Sequence, residues 1–323
     1  MKFGILQFFG WLDRSIPLET IYSRALDRIE IMEQTGYDAV WLAEHHFSSY
    51  SVCPSVHVMA MNIAARTKRL RIGTAVTLAP FYHPLRIAEE IALLDILSGG
   101  RINWGAGRGF DREEFEVFNV PVEESTERFR EVVEIVLAAW QNERLTYKGK
   151  YHQYEDVEVL PKPAQKPHPP TWVAASSQGA VEWAAKRGLE ILMDPHSTTE
   201  ALAQKQRRYE KLSIVEQTLD RPIARLIAIA DTEGEAKIVA ERGAKFSARY
   251  VPKEAIPQFR LDQQIVDPIE HYMDDVILYG SPDKIVDDLR RLEEEIGLRY
   301  LLMSPLSERS FELFTERVLP HFL

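Results

Sequence analysis

The stretch AVWLAEHHF (residues 39–47) combines two features from which a fold can be inferred. Its first five residues are all apolar, as in a strand that is buried on both faces of a parallel sheet. Glu44, His45 and His46 follow this apolar run directly. Active sites of α/β barrels lie at the C-terminal ends of the strands, so these polar residues mark a candidate site.

Seven further apolar runs alternate along the chain with segments of helical periodicity, for example 55–66 and 125–140. Strict alternation of strand and helix implies parallel pairing through right-handed crossovers. Eight repeats predict an α/β fold of the (β/α)₈ TIM-barrel type, with a doubly wound open sheet as the alternative. The predicted strands are 3–8, 39–43, 70–78, 101–107, 171–175, 189–193, 224–230 and 299–303.

Two segments are additional to the strands and helices of a minimal barrel. We nevertheless expect a single domain over residues 1–323. The aromatic and proline-rich segment 141–170 predicts a small added hairpin. Residues 246–282 show no convincing periodicity until about Ile277, which predicts a lid or insertion in the C-terminal half.

The amino-acid composition argues against two classes of binding partner, nucleic acids and membranes. A net charge of −10 and a pI of about 5.5 argue against nucleic acid, and no basic cluster favours a membrane surface. No apolar run approaches the ~20 residues that span a bilayer. Cys53 is the only cysteine, which fits a reducing compartment, and the apolar start lacks a signal-peptide cleavage site. We therefore expect a soluble, cytoplasmic protein.

Strand alternation separates the two adjacent histidines. His45 shares a face with Trp41 and Ala43, whereas Glu44 and His46 lie on the opposite face. His45 is therefore predicted to face the barrel mouth. Three consecutive strand residues do not converge on one ion, so we expect no metal site. A metal-dependent hydrolase and a hydrogen-bonded structural histidine remain as alternatives.

The stretch GAGRGF (105–110) does not fit a dinucleotide fingerprint, because Phe110 stands where the third glycine is required. Arg108 within it is suited either to bind an anion or to form a surface salt bridge with Asp111 or Glu113.

The stretch SSQGAVEWAAKRG (176–188) follows the fifth predicted strand and opens a helix. Ser176 and Ser177, with the free backbone N–H groups at the helix start, form a candidate phosphate cradle. Serines are also common helix caps, which is the alternative explanation for both residues.

Seven motifs together resemble the bacterial luciferase-like family of flavin-dependent monooxygenases, and the resemblance covers most of the chain. It implies that reduced FMN reacts with dioxygen to a flavin hydroperoxide, which oxygenates a small apolar organic substrate such as an aldehyde or ketone. Because the chain lacks a dinucleotide fingerprint, we expect a separate NAD(P)H-dependent flavin reductase to supply the reduced flavin, and we expect a homodimer. The motifs are MKFGI, WLAEHHF, GTAV, HPLRIAEEIALLD, SGGR, GAGRG and VEWAAKRG.

The resemblance also assigns roles to individual residues. It implies that His45 is catalytic and that a non-prolyl cis peptide joins Ala75 and Val76 beneath the flavin ring. It further implies that Arg108 and Ser177 contact the flavin phosphate, and that residues 246–282 form a mobile loop over the site.

This chain departs from luciferase catalytic subunits at three positions of the flavin site. Gly107 stands in place of a cysteine, Ser176 in place of a glutamate and Ala180 in place of a threonine. The flavin environment is therefore expected to differ, and we do not expect light emission from long-chain aldehydes. A deazaflavin-dependent oxidoreductase and a non-catalytic flavin-binding subunit are the alternatives within the family.

Overall fold

The computed structural model describes residues 1–216, 219–251 and 267–323. The chain forms two compact units, each built from segments that are distant in sequence. The N-terminal unit contains Gln7–Glu33 and Ala39–Ala174, and the C-terminal unit contains Met1–Leu6, Gln34–Asp38 and Ala175–Leu323. The expected single domain over residues 1–323 stays a prediction.

Strands and helices alternate through most of the described chain. The strands are β1 (Lys2–Gln7), β2 (Ala39–Leu42), β3 (Arg71–Thr74), β4 (Thr77–Leu78), β5 (Ile102–Gly107), β6 (Leu145–Lys148), β7 (Gln153–Val157), β8 (Thr171–Ala174), β9 (Glu190–Leu192), β10 (Pro222–Ile229), β11 (Ile277–Gly280) and β12 (Tyr300–Pro305). The helices are α1 (Leu18–Gln34), α2 (Val56–Arg66), α3 (Pro84–Leu97), α4 (Arg112–Val117), α5 (Ser125–Gln141), α6 (Gln178–Arg187), α7 (Thr199–Leu212), α8 (Glu233–Tyr250), α9 (Pro268–His271), α10 (Pro282–Ile296) and α11 (Glu308–Leu313).

The N-terminal unit contains a parallel sheet in which β3 lies between β2 and β5, and β5 pairs with β8. The short strand β4 also pairs in parallel with β5. Every residue of β2 and β5 is buried, as expected for strands covered on both faces. A Cβ at Gly73 would lie 2.3 Å from the Trp41 ring, so the glycine gives this buried indole its space.

The C-terminal unit contains a second set of parallel strands, in which β10 pairs with both β11 and β12. Strand β12 also pairs with β1, and Met193, just after β9, forms a bridge with Ile223. All eight residues of β10 are buried. Helix α10 buries an apolar stripe with a spacing of three and four residues, and it ends at Gly297, whose φ is +64°.

The α/β class and the parallel pairing predicted from the sequence are confirmed, whereas closure into a full eight-stranded barrel stays a prediction. Each predicted strand is present within two residues of its expected bounds. The run 70–78 is divided, because β3 ends at Thr74 and β4 begins at Thr77. The predicted hairpin exists as the antiparallel pair β6–β7.

The segment 246–282 was expected to be a lid or insertion. Its first residues complete α8, and its last part contains α9 and the strand β11, which the sequence pattern did not identify. Residues 252–266 lie outside the described residues, so the mobile loop stays a prediction. Within the described ranges, no helix is long and apolar enough to cross a membrane.

Candidate active site around His45

The polar residues after β2 lie in two environments. Strand β2 ends at Leu42, so Glu44, His45 and His46 lie beyond the strand. His46 Nε2 lies 3.0 Å from Glu44 Oε1, and the hydroxyl of Tyr82 donates to the same oxygen at 2.9 Å. Glu44 and His46 therefore pair with each other, as expected for supporting residues, and they leave His45 to a separate environment.

His45 is buried and contacts a carboxylate that the sequence analysis did not identify. Its Nδ1 atom lies 3.2 Å from Oε1 of Glu114, a residue of α4 that is only 1% exposed. The backbone N–H of His46 donates to the same oxygen at 2.8 Å. Asp111 caps the start of α4 by accepting a hydrogen bond from the N–H of Glu113, which helps to fix the helix that carries Glu114.

Three aromatic rings surround the His45 imidazole. Tyr50 and Phe110 approach it edge to face, with ring centroids at 4.8 Å and 5.7 Å, and Phe8 lies nearly parallel to it at 6.3 Å. Burial raises the pKa of the Tyr50 hydroxyl, so this phenol stays neutral. The side chains beside the imidazole are thus mainly apolar.

The peptide bond between Ala75 and Val76 is cis, which confirms the expectation drawn from the family resemblance. It lies between β3 and β4, at the point where the predicted strand is divided. A Cβ at Gly107, the last residue of β5, would lie 2.2 Å from Val76 Cγ2. The glycine therefore makes room for the Val76 side chain.

Arg108 follows β5 directly, and its side chain is exposed. Its Nη1 atom donates to the hydroxyl of Ser125, the buried first residue of α5, at 3.1 Å. Asp111, one of the two partners considered for a salt bridge, serves instead as the cap of α4. The guanidinium is thus positioned by a hydroxyl at a helix N-terminus, where anions are favoured.

Ser176 and Ser177 are exposed and belong to the C-terminal unit. Ser177 caps α6, since its hydroxyl accepts a hydrogen bond from the backbone N–H of Ala180 at 3.3 Å. A phosphate role for either serine stays a prediction. In the described ranges 1–216, 219–251 and 267–323, no group of three or more His, Cys, Asp or Glu side chains is placed to hold a metal ion.

The family model for luciferase-like monooxygenases matches residues 1–299 of the chain. The chain belongs to the luciferase-like monooxygenase family. Its non-prolyl cis peptide is a feature that the resemblance of the sequence to this family had implied.

Individual relatives place the chain among several members of this family. It is 38% identical over 170 residues to an uncharacterized protein (y4wF) of Sinorhizobium fredii, a match that covers 53% of this chain and 50% of that protein. The chain therefore spans about half the length of the first curated relatives that it matches. It is also 29% identical to the oxygenase component of flavin-dependent trigonelline monooxygenase from Acinetobacter baylyi, over 74% of this chain and 68% of that one.

Among solved structures, the monooxygenase RslO1 from Streptomyces bottropensis superimposes with a TM-score of 0.88. The two sequences are 26% identical, and the superposition covers 100% of both chains. The fold of this chain is therefore similar to that of a known monooxygenase.

Glu114 is the residue of this luciferase-like site that the sequence analysis missed. It lies in the acidic segment DREEFE, where consecutive carboxylates resemble an ordinary solvated surface. The structure exposes Glu113 but buries both Glu114 and Phe115. The proximity of Phe115 was the one available signal, because an apolar residue in a short acidic helix indicates which face points inward.

Cys53 also lies in this region, and its backbone carbonyl accepts a hydrogen bond from the N–H of His45 at 3.3 Å. Its side chain is buried. Burial and the nearby charge of Glu44 raise the pKa of the thiol to about 12, so the sulfur stays protonated near neutral pH.

Proposed function

We propose that this protein is a flavin-dependent monooxygenase that uses reduced FMN and dioxygen to oxygenate a small apolar organic substrate, such as an aldehyde or ketone. One observation carries the proposal: a buried histidine contacts a buried carboxylate on one side and aromatic rings on its others. Membership of the luciferase-like monooxygenase family supports it.

The residues of the N-terminal unit fit FMN, a planar aromatic ring system joined to a phosphate. Arg108, exposed and oriented by Ser125, supplies a cation with donor N–H groups for the phosphate. Gly107 presents no side chain, and Val76 fills the adjacent space, so the cofactor would meet apolar surface beside the cis peptide. Ala75 and Val76 would contact the ring. Ser176 and Ser177, at the start of α6 in the C-terminal unit, would offer hydroxyls to a phosphate.

When bound, the reduced flavin would supply the electrons that activate dioxygen. The protein's own contribution is a proton-transfer group and exclusion of water. A histidine can hold or release a proton near neutral pH, and Nε2 of His45 is the ring nitrogen left for that role once Nδ1 faces Glu114. Phe8, Tyr50 and Phe110 exclude water from the imidazole and favour an apolar substrate.

Reduced FMN would be supplied by a separate NAD(P)H-dependent flavin reductase. The chain carries no dinucleotide fingerprint, because Phe110 interrupts the glycine pattern of residues 105–110. The trigonelline relative is itself named as an oxygenase component, which supports a two-component arrangement. We also propose that the protein forms a homodimer.

The test supplies reduced FMN and isotope-labelled dioxygen to the purified protein with a panel of aldehydes, ketones and sulfur compounds. We expect at least one product that carries a labelled oxygen atom. Reduced deazaflavin coenzyme, tested in parallel, would identify the alternative chemistry if it alone supported turnover. Absence of labelled product from every substrate would count against a monooxygenase.

Substitution of the central histidine tests its role. We expect His45→Ala to bind FMN with unchanged affinity and to lose product formation by about 100-fold, since general acid–base groups typically contribute that much or more. The matched control is His321→Ala, because His321 is exposed in the C-terminal unit. Full activity of His45→Ala would exclude the assigned role.

A further inference from the structure

We propose that Glu114 is a positioning residue that fixes the tautomer and orientation of His45. In this arrangement Nδ1 carries the imidazole proton, and Nε2 is the nitrogen that meets the reacting groups. Only the activity readout of this inference rests on the proposed function. The tautomer is a property of the protein alone and can be measured without any cofactor.

The hydrogen bonds to Glu114 Oε1 decide the tautomer. The backbone N–H of His46 donates to this oxygen at 2.8 Å, which establishes Oε1 as an acceptor. Because Oε1 already acts as an acceptor, we assign the His45 Nδ1 atom 3.2 Å away as a second donor to it. In a neutral imidazole the proton on Nδ1 leaves Nε2 with a free lone pair, which is the state that can accept a proton.

The carboxylate of Glu114 differs from those of Glu131 and Glu44, two further buried carboxylates of the same unit. Glu131 accepts hydrogen bonds from three consecutive backbone N–H groups, so it organises a turn. Glu44 accepts from the Tyr82 hydroxyl and lies beside His46. Glu114 Oε2, by contrast, is buried and accepts no hydrogen bond from any described residue. A buried polar atom without a partner is costly, so packing alone does not explain why a carboxylate occupies this position.

The surrounding structure holds this carboxylate in place. Phe115, the next residue of α4, is buried and packs edge to face on Phe81 at 5.0 Å, which anchors the helix. The Asp111 cap fixes the start of the same helix. A rigid support of this kind is what a positioning group requires, because a misdirected imidazole loses its proton-transfer geometry.

The first test reads the tautomer of His45 by nitrogen NMR of the histidine-labelled native protein, with the signal assigned from its absence in His45→Asn. We expect Nδ1 to be the protonated nitrogen. In Glu114→Leu, which removes the acceptor at similar volume, we expect the Nε2-protonated form to predominate. Glu114→Gln keeps an acceptor oxygen and should retain the native tautomer.

Activity provides the second readout. We expect Glu114→Leu to lower kcat on the order of 10- to 100-fold with little change in KM, and Glu114→Gln to recover part of that loss. Glu113→Gln is the matched control, because Glu113 is exposed on the same helix and should leave both readouts unchanged.

Two outcomes overturn the proposal. One is an Nε2-protonated His45 in the native protein, which needs no variant and so does not depend on the folding of Glu114→Leu. The other is a folded Glu114→Leu protein with native tautomer and native kcat. A native protein that forms no oxygenated product but keeps the Nδ1-protonated tautomer would contradict the proposed function and leave the assignment of Glu114 standing.

Discussion

At the scale of single residues, the site depends on a close approach between Gly107 and Val76. A Cβ atom added at position 107 would lie only 2.2 Å from Cγ2 of Val76, which is closer than two carbon atoms can approach without a bond. The glycine and the valine therefore form a size-matched pair next to the cis peptide. A cysteine at this position, as in luciferase catalytic subunits, would require a smaller or displaced neighbour at position 76.

This pairing predicts the result of a double-mutant cycle. Gly107→Ala should lower the free energy of unfolding by about 1 to 3 kcal/mol, because overpacking a filled core forces neighbouring atoms to move. Adding Val76→Ala should recover much of that loss by removing the clashing methyl groups. The measurement is urea unfolding of the four proteins of the cycle. Additive losses in the double variant would show that the two side chains do not compete for space.

At the scale of secondary-structure elements, the hairpin β6–β7 is tied to α5 by one carboxylate. Oxygens of Glu131 accept hydrogen bonds from the backbone N–H groups of Lys150, Tyr151 and His152 at 2.8, 3.0 and 2.6 Å. Gly149 lies so close that a Cβ there would reach the carboxylate within 2.3 Å. The turn of the hairpin is therefore built around this side chain.

Glu131→Ala should lower the free energy of unfolding by about 2 to 4 kcal/mol, because several backbone donors lose a charged acceptor. Urea unfolding followed by circular dichroism measures this change. Glu143→Gln is the control, since Glu143 is exposed just beyond α5 and surface substitutions typically change stability by less than about 0.5 kcal/mol. Equal stability of the Glu131→Ala and Glu143→Gln proteins would rule out the anchoring role.

Apolar continuity predicted the eight expected strands, because strands buried on both faces leave that pattern in the sequence. Strand β11 escaped prediction because it follows Asp274 and Asp275 at the end of a long segment without convincing periodicity. Separation of His45 from Glu44 and His46 was correctly inferred from alternation, although the strand ends before them. The contact of Glu114 with His45 could not be inferred, since it joins residues that are about 70 positions apart in the sequence.

At the scale of the whole molecule, a chain with a net charge of −10 also carries a buried ionic cluster in its C-terminal unit. Lys205 and Arg225 are fully buried there. Lys205 Nζ donates to Asp194 Oδ2 at 2.6 Å and to the Ser197 hydroxyl at 2.7 Å, and Arg225 donates to the Ser197 carbonyl. Burial by itself raises the pKa of Asp194, but the charges of Lys205 and His196, together with the hydrogen bonds from Lys205 and from the backbone N–H of His196, lower the pKa to about 2.

This lowered pKa predicts how the stability of the protein depends on pH. Because Asp194 has a lower pKa in the folded state than its usual 3.8, its contribution is fully present above pH 4 and is lost as the pH falls towards 2. This difference in pKa between the unfolded and folded states corresponds to about 2 kcal/mol in the free energy of unfolding. The free energy of unfolding, measured with urea at pH 6 and at pH 3, should therefore fall less between these two pH values in Asp194→Asn than in the native protein. Asp231→Asn, at an exposed carboxylate, should leave the pH dependence close to native. An identical pH dependence in the Asp194→Asn and native proteins would refute the assignment.

The buried thiol of Cys53 has a practical consequence for biophysical work on this protein. With its raised pKa and an exposed fraction of only 2%, the only cysteine of the chain should not react with maleimides in the folded state, so the native protein behaves like a cysteine-free background. A single Ile238→Cys substitution, at a position 58% exposed on α8, would then accept one fluorophore or spin label with no second site to remove first.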